Sequence, residues 1–279
     1  MIPYFSQPRL DLGLLTIHAF GALVALAVIV GTEVLRRRAR TQGLDPDLAA
    51  RLVGWVLIGG FIGAHLVDRL VYNPAETLAD PLSIVKIWAG LSSFGGFLGA
   101  IVGAVLFIRS GRLKGRTWAY LDAVAYAWTI GWIFGRTGCF LAFDHPGVET
   151  TFFLAQQDHS GVVRHNLGLD EALYTVVMAA VVVAVGRKRL PDGFILGLVA
   201  LLYAPVRFGL DFLRKVDVRY FGLTPGQYGS LALLVVGIWI VYQARQGRFE
   251  RTSSATVTAP TEPAPTQLPS TAGPGTLGS

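Results

Sequence analysis

The stretch LLTIHAFGALVALAVIVGTEVLRRRAR, residues 14–40, decides the fold class. From Leu14 to Val30 its only polar side chains are Thr16 and His18, and the run closes on Arg36, Arg37, Arg38 and Arg40. The hydrocarbon core of a bilayer takes about 20 such residues as a helix. A basic cluster directly after the run marks its cytoplasmic end. We read 14–35 as a membrane span. Composition agrees: 52% of the chain is apolar and 15% is charged, where soluble domains carry about 25% charged residues.

Six further runs follow the same pattern, at roughly 50–72, 84–108, 117–141, 171–187, 193–213 and 226–244. Basic residues fall on alternate connections. Arg36 to Arg40 and Arg51 lie between the first two runs, Arg109, Arg112, Lys114 and Arg116 between the third and fourth, Arg187, Lys188 and Arg189 between the fifth and sixth, and Arg245, Arg248 and Arg251 after the last. That alternation predicts an all-α integral membrane protein of about seven transmembrane helices, with the N-terminus outside and the C-terminus cytoplasmic. It also explains the net charge of +6 without any nucleic-acid partner. The start, MIPYFSQPRL, lacks the basic opening of a signal peptide, so the first run is expected to stay in the mature protein. Residues 1–248 form the membrane domain. The Pro-, Thr- and Ser-rich tail 249–279 is expected to be disordered. Gly59 and Gly63, and Gly95, Gly99 and Gly103, recur every four residues, which reads as close helix packing in lipid and not as a phosphate loop.

Charge at membrane depth is costly unless it is paired or hydrated, so the remaining arginines are functional candidates. Arg136 sits in FGRTGCFLAFDHPG (134–147) at the end of the fourth run. Tyr203, Arg207, Asp211 and Arg214 recur at helical spacing near the end of the sixth. A guanidinium fork suits a phosphate or a developing oxyanion, although an Arg207–Asp211 pair alone also fits a structural role. The outer loop 142–170 adds Asp144, His145, His159, Arg164 and His165, and imidazole is the natural proton carrier near neutrality. His18, His65, Asp68 and Arg69 read as hydrogen-bonding groups between helices. Asp122 is about 21 Å from Arg136 along one helix, so the two are not partners. No HExxH or other metal-ligand spacing appears, and no metal or cofactor is expected. Cys139 reads as a packing residue.

Taken together these motifs resemble the prolipoprotein diacylglyceryl transferases. IHAFG (17–21) is similar to the family's I-H-W-Y-G, and YNPAETLADPLSIVKIWAGLSSFGGFLG (72–99) to its Y-N…D-P…W-x-G-G-x-S-F-H-G-G-x-x-G. GRTGCFLAFDHPG (135–147) is similar to G-R-x-G-N-F-x-N-x-E-x-x-G, and RHNLGLDEALY (164–174) stands where R-H-P-S-Q-L-Y-E is usual. YAPVRFGLDFLRKVD (203–217) and LTPGQYGS (223–230) complete the series. The resemblance implies transfer of a diacylglyceryl group from phosphatidylglycerol to the lipobox cysteine of a prolipoprotein signal peptide. The product is a thioether and the leaving group glycerol phosphate. It implies a bacterial cytoplasmic (inner) membrane enzyme whose site faces the outer leaflet, whose partners are membrane lipid and prolipoprotein, and which acts as a monomer.

By position, Arg136 would bind the headgroup, with Gly135, Gly138, Cys139, Asp144, Gly147 and Arg214 around the substrate. Arg207, oriented by Asp211 and flanked by Tyr203, would stabilise the departing phosphate. The sequence departs from the pattern where Phe94 replaces the histidine of S-F-H-G-G, Cys139 an asparagine, Phe20 a tyrosine and Asp170 the tyrosine of L-Y-E; Asp144 stands for the glutamate. His145 is therefore expected to replace the missing base. The alternative is a diverged paralogue that binds phospholipid or transfers another group. A retinal protein would need a lysine in its last span, which has none, and a transporter would show repeats and broken midplane helices.

Overall fold

The computed structural model describes residues 1–249 apart from 12, 14–15, 87–89 and 216–218. The expected disordered tail lies outside the described residues from position 250 onward, as does the Trp88 of the 72–99 motif. Helices dominate: α1 (Ala19–Thr41), α2 (Pro46–Val67), the short α3 (Pro74–Ala79), α4 (Ser93–Arg109), α5 (Thr117–Ala142), α6 (Leu167–Val185), α7 (Phe194–Leu210) and α8 (Pro225–Arg245). Two small antiparallel sheets accompany them. One pairs β1 (Arg9–Asp11) with β2 (Thr16–His18). The other is ordered β3 (Pro146–Glu149), β5 (Val163–Asn166), β4 (Gln156–Gln157).

Five helical stretches are long and apolar enough to cross a membrane: Ala19–Thr41, Pro46–Tyr72, Leu167–Val185, Phe194–Leu213 and Pro225–Arg245. Phe94–Arg109 is a shorter apolar helix. The chain is thus a helical membrane protein, but three expected boundaries move. The first helix begins at Ala19 and not at 14, because Thr16–His18 pairs with Arg9–Asp11. The third begins at Ser93 and not at 84. Ser92 caps it by accepting from the Gly95 amide, and Pro81–Val85 forms a separate 3-10 turn. The fifth begins at Leu167, inside the expected outer loop, because Asn166 caps it by accepting from the Leu169 amide.

Helix α5, expected as the fourth span, is 26 residues long yet lies outside the set of apolar spans. The reason is its position. It packs against α1, α6 and α7, and its Asp122 and Arg136 are buried in protein, so it need not be apolar by the standard of a lipid-facing helix. Around it, α2 runs along α4 and α7 along α8. The glycine spacing explains the first pair: a methyl group on Gly63 would lie 2.5 Å from the Gly95 carbonyl oxygen and 2.7 Å from Gly99 Cα. Only bare backbone fits there, as expected of small residues at a four-residue repeat. The outward faces carry Ile29, Ile58, Ile101, Val177 and Val235, all well exposed.

Candidate active site

The site is built where α5 ends, α6 begins and α7 ends, close to the three-stranded sheet. Within that sheet Arg164 is buried and held by Asp158 (2.9 Å) and Glu149 (3.1 Å). Arg164, a functional candidate from its sequence position, is thus a structural tie. Two residues later Asn166 donates to the Phe140 carbonyl (3.1 Å) and to Gln156 Oε1 (2.7 Å), fixing the start of α6 against the end of α5. Gly168 allows this approach, since a Cβ there would lie 2.6 Å from the Phe140 amide nitrogen. One turn into α6 this delivers Glu171, fully buried, against Arg136 and Arg207.

Glu171 is the hub. Its Oε1 accepts from the Tyr203 hydroxyl (2.6 Å) and forms an ion pair with Arg136, 2.8 Å from Nε, and its Oε2 lies 3.5 Å from Arg207 Nη1. Arg136 also donates to the Tyr203 oxygen (3.4 Å), and its guanidinium lies over the Trp132 ring, 4.6 Å from the centroid. Arg207 reaches back to Asp211 Oδ1 (2.9 Å), and Arg214 Nη1 lies 4.0 Å from the same oxygen. The second Asp211 oxygen accepts from Thr224 Oγ1 (2.6 Å). Thr224 caps α8 in a reciprocal box with Gln227. The expected sharing of one face by Tyr203, Arg207, Asp211 and Arg214 holds in outcome, although α7 gives way to a 3-10 turn at Asp211. Three guanidinium groups thus meet two buried carboxylates and one phenol, which leaves the cluster one positive charge in excess and suited to an anion.

On the far side of Arg136 stands a second group. Phe143, in the left-handed region (φ 51), ends α5 and turns the chain, so Asp144 and His145 fold back beside Cys139. One ligand-type atom from each of Cys139, Asp144 and His145 lies within 4.8 Å of the others, a grouping that no short metal-binding spacing announced. His145 Nδ1 lies 3.7 Å from Asp144 Oδ2, and Arg136 Nη1 is 3.8 Å from Cys139 Sγ. Burial first, then the charges of Arg214, Arg136 and Arg207, push the His145 imidazole down to about 4, so it is neutral at physiological pH. Asp144 opens onto a cavity of about 600 Å³ shared with His18, Phe20 and Gly21.

The other candidates fall as follows. Gly147 sits at a junction: a Cβ would lie 2.7 Å from His165 Cβ and 3.0 Å from the Leu213 oxygen, and its backbone bridges Arg214. Gly138 faces Phe20, whose ring would lie 3.1 Å from an added Cβ. These two glycines admit neighbouring protein. Among the described residues a Cβ on Gly135 would meet Trp132 at 3.8 Å, an ordinary contact distance, so packing against them does not demand a glycine there. His65 contacts the Gly90 and Ile84 carbonyls, and Asp68 pairs with Arg69 (2.7 Å). His65 thus ties Ile84 and Gly90 to α2, where bonding between helices was expected. Asp122 accepts from the Gly193 and Leu196 amides (both 2.8 Å), far from Arg136 as expected. Phe94 is more than half exposed near the start of α4. Sequence reasoning missed Glu171 and Thr224. Both stand inside motifs quoted above, and the signal for Glu171 was an acidic residue at the head of a long apolar run.

Comparison with known proteins settles the kinship of this arrangement. The pattern that describes prolipoprotein diacylglyceryl transferases matches residues 8–243. The chain belongs to this family. Proteins named phosphatidylglycerol–prolipoprotein diacylglyceryl transferase are similar along their whole length. The one from Nitratidesulfovibrio vulgaris (strain Miyazaki F) is 34% identical, covering 86% of this chain and 96% of that protein. The one from Chromohalobacter salexigens is 31% identical over 88% and 94%. The one from Tolumonas auensis is 28% identical over 85% and 95%. The transferase family therefore spans every element from β1 to α8, and the arginine–carboxylate cluster lies within the matched region.

Proposed function

We propose that this protein transfers the diacylglyceryl group of phosphatidylglycerol to the lipobox cysteine thiol of prolipoproteins. The observation that carries the reading is the convergence of Arg136, Arg207 and Tyr203 on the single buried carboxylate of Glu171, in a chain of this family. A phosphodiester is an anion, and its displacement leaves a phosphate with one more negative charge. Fixed guanidinium groups in a low-dielectric site favour that developing charge without reorganising.

In this reading the long helices α1, α2 and α4 to α8 cross the bacterial cytoplasmic membrane, with the arginine-rich connections inside and the cluster toward the outer leaflet. The alternation of basic residues supports that orientation. Arg136 binds the headgroup phosphate, and Arg207, held by Asp211, meets the departing phosphate oxygen. Arg214, Asp144 and the glycines Gly138 and Gly147 shape the surroundings. The thiol sulfur attacks the glycerol carbon, the carbon–oxygen bond breaks, and the electron pair leaves on glycerol phosphate. His145 takes the part of the family histidine that Phe94 cannot play. Its support is its place beside Asp144 and Arg136.

The test is complementation of a bacterial strain depleted of its own transferase, paired with transfer by the purified protein to a lipobox peptide. Rescue by the wild type and failure by Arg136→Ala support the reading. A folded, membrane-inserted wild type that neither rescues nor transfers overturns it. His145→Ala at full turnover would remove His145 from the mechanism.

A further inference from the structure

The three-residue group at the end of α5 does more than border the cluster. Cys139, Asp144 and His145 supply a thiol, a carboxylate and an imidazole whose ligand atoms lie within 4.8 Å of one another. Two of these donors are already set for a shared ion. A tetrahedral zinc ion, with bonds of about 2.0–2.3 Å, spaces its ligand atoms roughly 3.3–3.7 Å apart, and His145 Nδ1 to Asp144 Oδ2 is 3.7 Å. That Nδ1 is buried without a hydrogen-bond partner among the described residues. Cys139 is nine-tenths buried and its sulfur has one long contact, from Arg136 at 3.8 Å. Asp144, about half exposed, can rotate to bring the third donor in, and it opens onto the 600 Å³ cavity.

We infer that Cys139, Asp144 and His145 form a zinc-type site whose open fourth position takes the incoming substrate thiol. This deepens the proposed transfer reaction and rests on it. Sulfur, nitrogen and oxygen donors together select a borderline-soft divalent ion over magnesium or calcium, which prefer oxygen alone. Three protein ligands with an open position are the pattern of a reactive zinc centre, not a structural one. Charge is compatible too. A dication with one thiolate and one carboxylate is neutral, so it adds nothing to the positive field of Arg136, Arg207 and Arg214.

The chemistry balances. As the ion loads, the Cys139 S–H bond breaks, a metal–sulfur bond forms and the proton goes to solvent. The substrate thiol then takes the fourth position and loses its own proton to solvent in the same way, because a coordinating thiol is held as thiolate. The sulfur attacks the glycerol carbon, the carbon–oxygen bond breaks with its electron pair going to the phosphate oxygen, and the neutral thioether leaves the metal. His145 thus serves thiolate formation as a ligand. The same three positions coincide with part of the departures from the family pattern. Where the histidine of S-F-H-G-G has become Phe94, a cysteine stands for the asparagine, an aspartate for the glutamate, and a histidine follows it.

The experiment is a cobalt(II) titration of the full-length protein in nanodiscs, followed by ultraviolet absorption. The chain has one cysteine, so a sulfur-to-cobalt charge-transfer band reports Cys139 alone. We expect the band to saturate at one equivalent, to be displaced by zinc(II), and to grow when a lipobox peptide with cysteine is added, but not with serine. Cys139→Ser removes the band. Asp144→Asn and His145→Ala each weaken cobalt affinity by about tenfold or more. A chelator lowers transfer by a similar factor and zinc(II) restores it. The inference is overturned if the wild type gives no band, if the band ignores both Asp144→Asn and His145→Ala, or if chelated enzyme turns over at full rate. Full turnover without metal leaves the transferase reading standing. A site that loads with metal in a protein that never transfers lipid overturns the transferase reading and the thiol-activating role together.

Discussion

At one end of the bundle, charge is spent on backbone. Asp122 gives both oxygens to the amides that open α7, Arg38 donates to the Gly186 carbonyl (2.8 Å), and Arg116 donates to the Gly43 carbonyl (3.1 Å). These charges cap helices and tie loops, and the apolar cluster of Leu35, Leu52, Phe107 and Tyr120 packs beside them. At the other end, charge is spent on charge: Arg136, Arg207 and Tyr203 share Glu171, and Arg207 and Arg214 share Asp211. In Asp122 both carboxylate oxygens are committed to backbone amides. An arginine held by a side-chain carboxylate keeps further donors for a ligand, since guanidinium has five. The same residue types are structural at one end and chemical at the other.

Glu171→Ala breaks this contrast most severely. It leaves two buried guanidinium groups and a phenol without their common partner. Breaking a buried ion pair from one side costs about 3–5 kcal/mol. We expect a loss of that order in unfolding of the purified protein in a mild detergent, together with loss of lipid transfer. Unchanged thermal stability would show that water or lipid already satisfies the arginines. Next in size are Arg136→Ala and Arg207→Ala. Removing one fixed donor from a developing anion costs roughly 10²–10³ in turnover, so initial rates with saturating lipid are expected to fall by that factor. Arg38→Ala, at the other end, is expected to keep turnover within about twofold, since its guanidinium donates to the Gly186 carbonyl and lies over the Tyr126 ring, away from the cluster.

The contrast was half legible in the sequence. Apolar length and the alternation of arginines announced the helices, and Arg207 with Asp211 announced itself by a four-residue spacing. Glu171 did not, because its partners lie 32 to 36 residues away along the chain and the sheet-anchored start of α6 brings them together. The length of the fourth helix was read correctly but its surroundings were not: hydropathy describes lipid-facing surfaces, whereas α5 is wrapped by other helices. The grouping of Cys139, Asp144 and His145 depends on the left-handed Phe143. A bulky residue rarely adopts that conformation, so nothing in the local sequence signals the turn.

Asp122→Ala sharpens the structural half of the comparison. The carboxylate caps α7 through two amides, and loss of such a cap costs about 0.5–2 kcal/mol. We expect a lower unfolding temperature with turnover per folded molecule unchanged. A turnover defect beyond the loss of folded protein would mean that the two ends are coupled through α5.

The smallest expected effect lies in the sheet that seats α6. The Asp158 carboxyl is held well below the usual carboxylate range, first by the Ser160 hydroxyl and then by the Arg164 guanidinium and the Val162 and Ser160 amides. Its folded pKa lies below its unfolded one, so the stability it contributes is present above about pH 4 and is lost as pH falls below that. Asp158→Asn keeps the shape but cannot ionise. Hydrogen exchange of residues 156–166, corrected for the intrinsic effect of pH on exchange, gives the measurement. In the wild type, protection is expected to hold from neutrality to about pH 5 and to decline below pH 4. In the variant it starts lower and shows no such decline. Parallel curves for the two proteins would mean that Glu149, the other partner of Arg164, anchors the sheet by itself, and that the seat of Glu171 does not depend on Asp158.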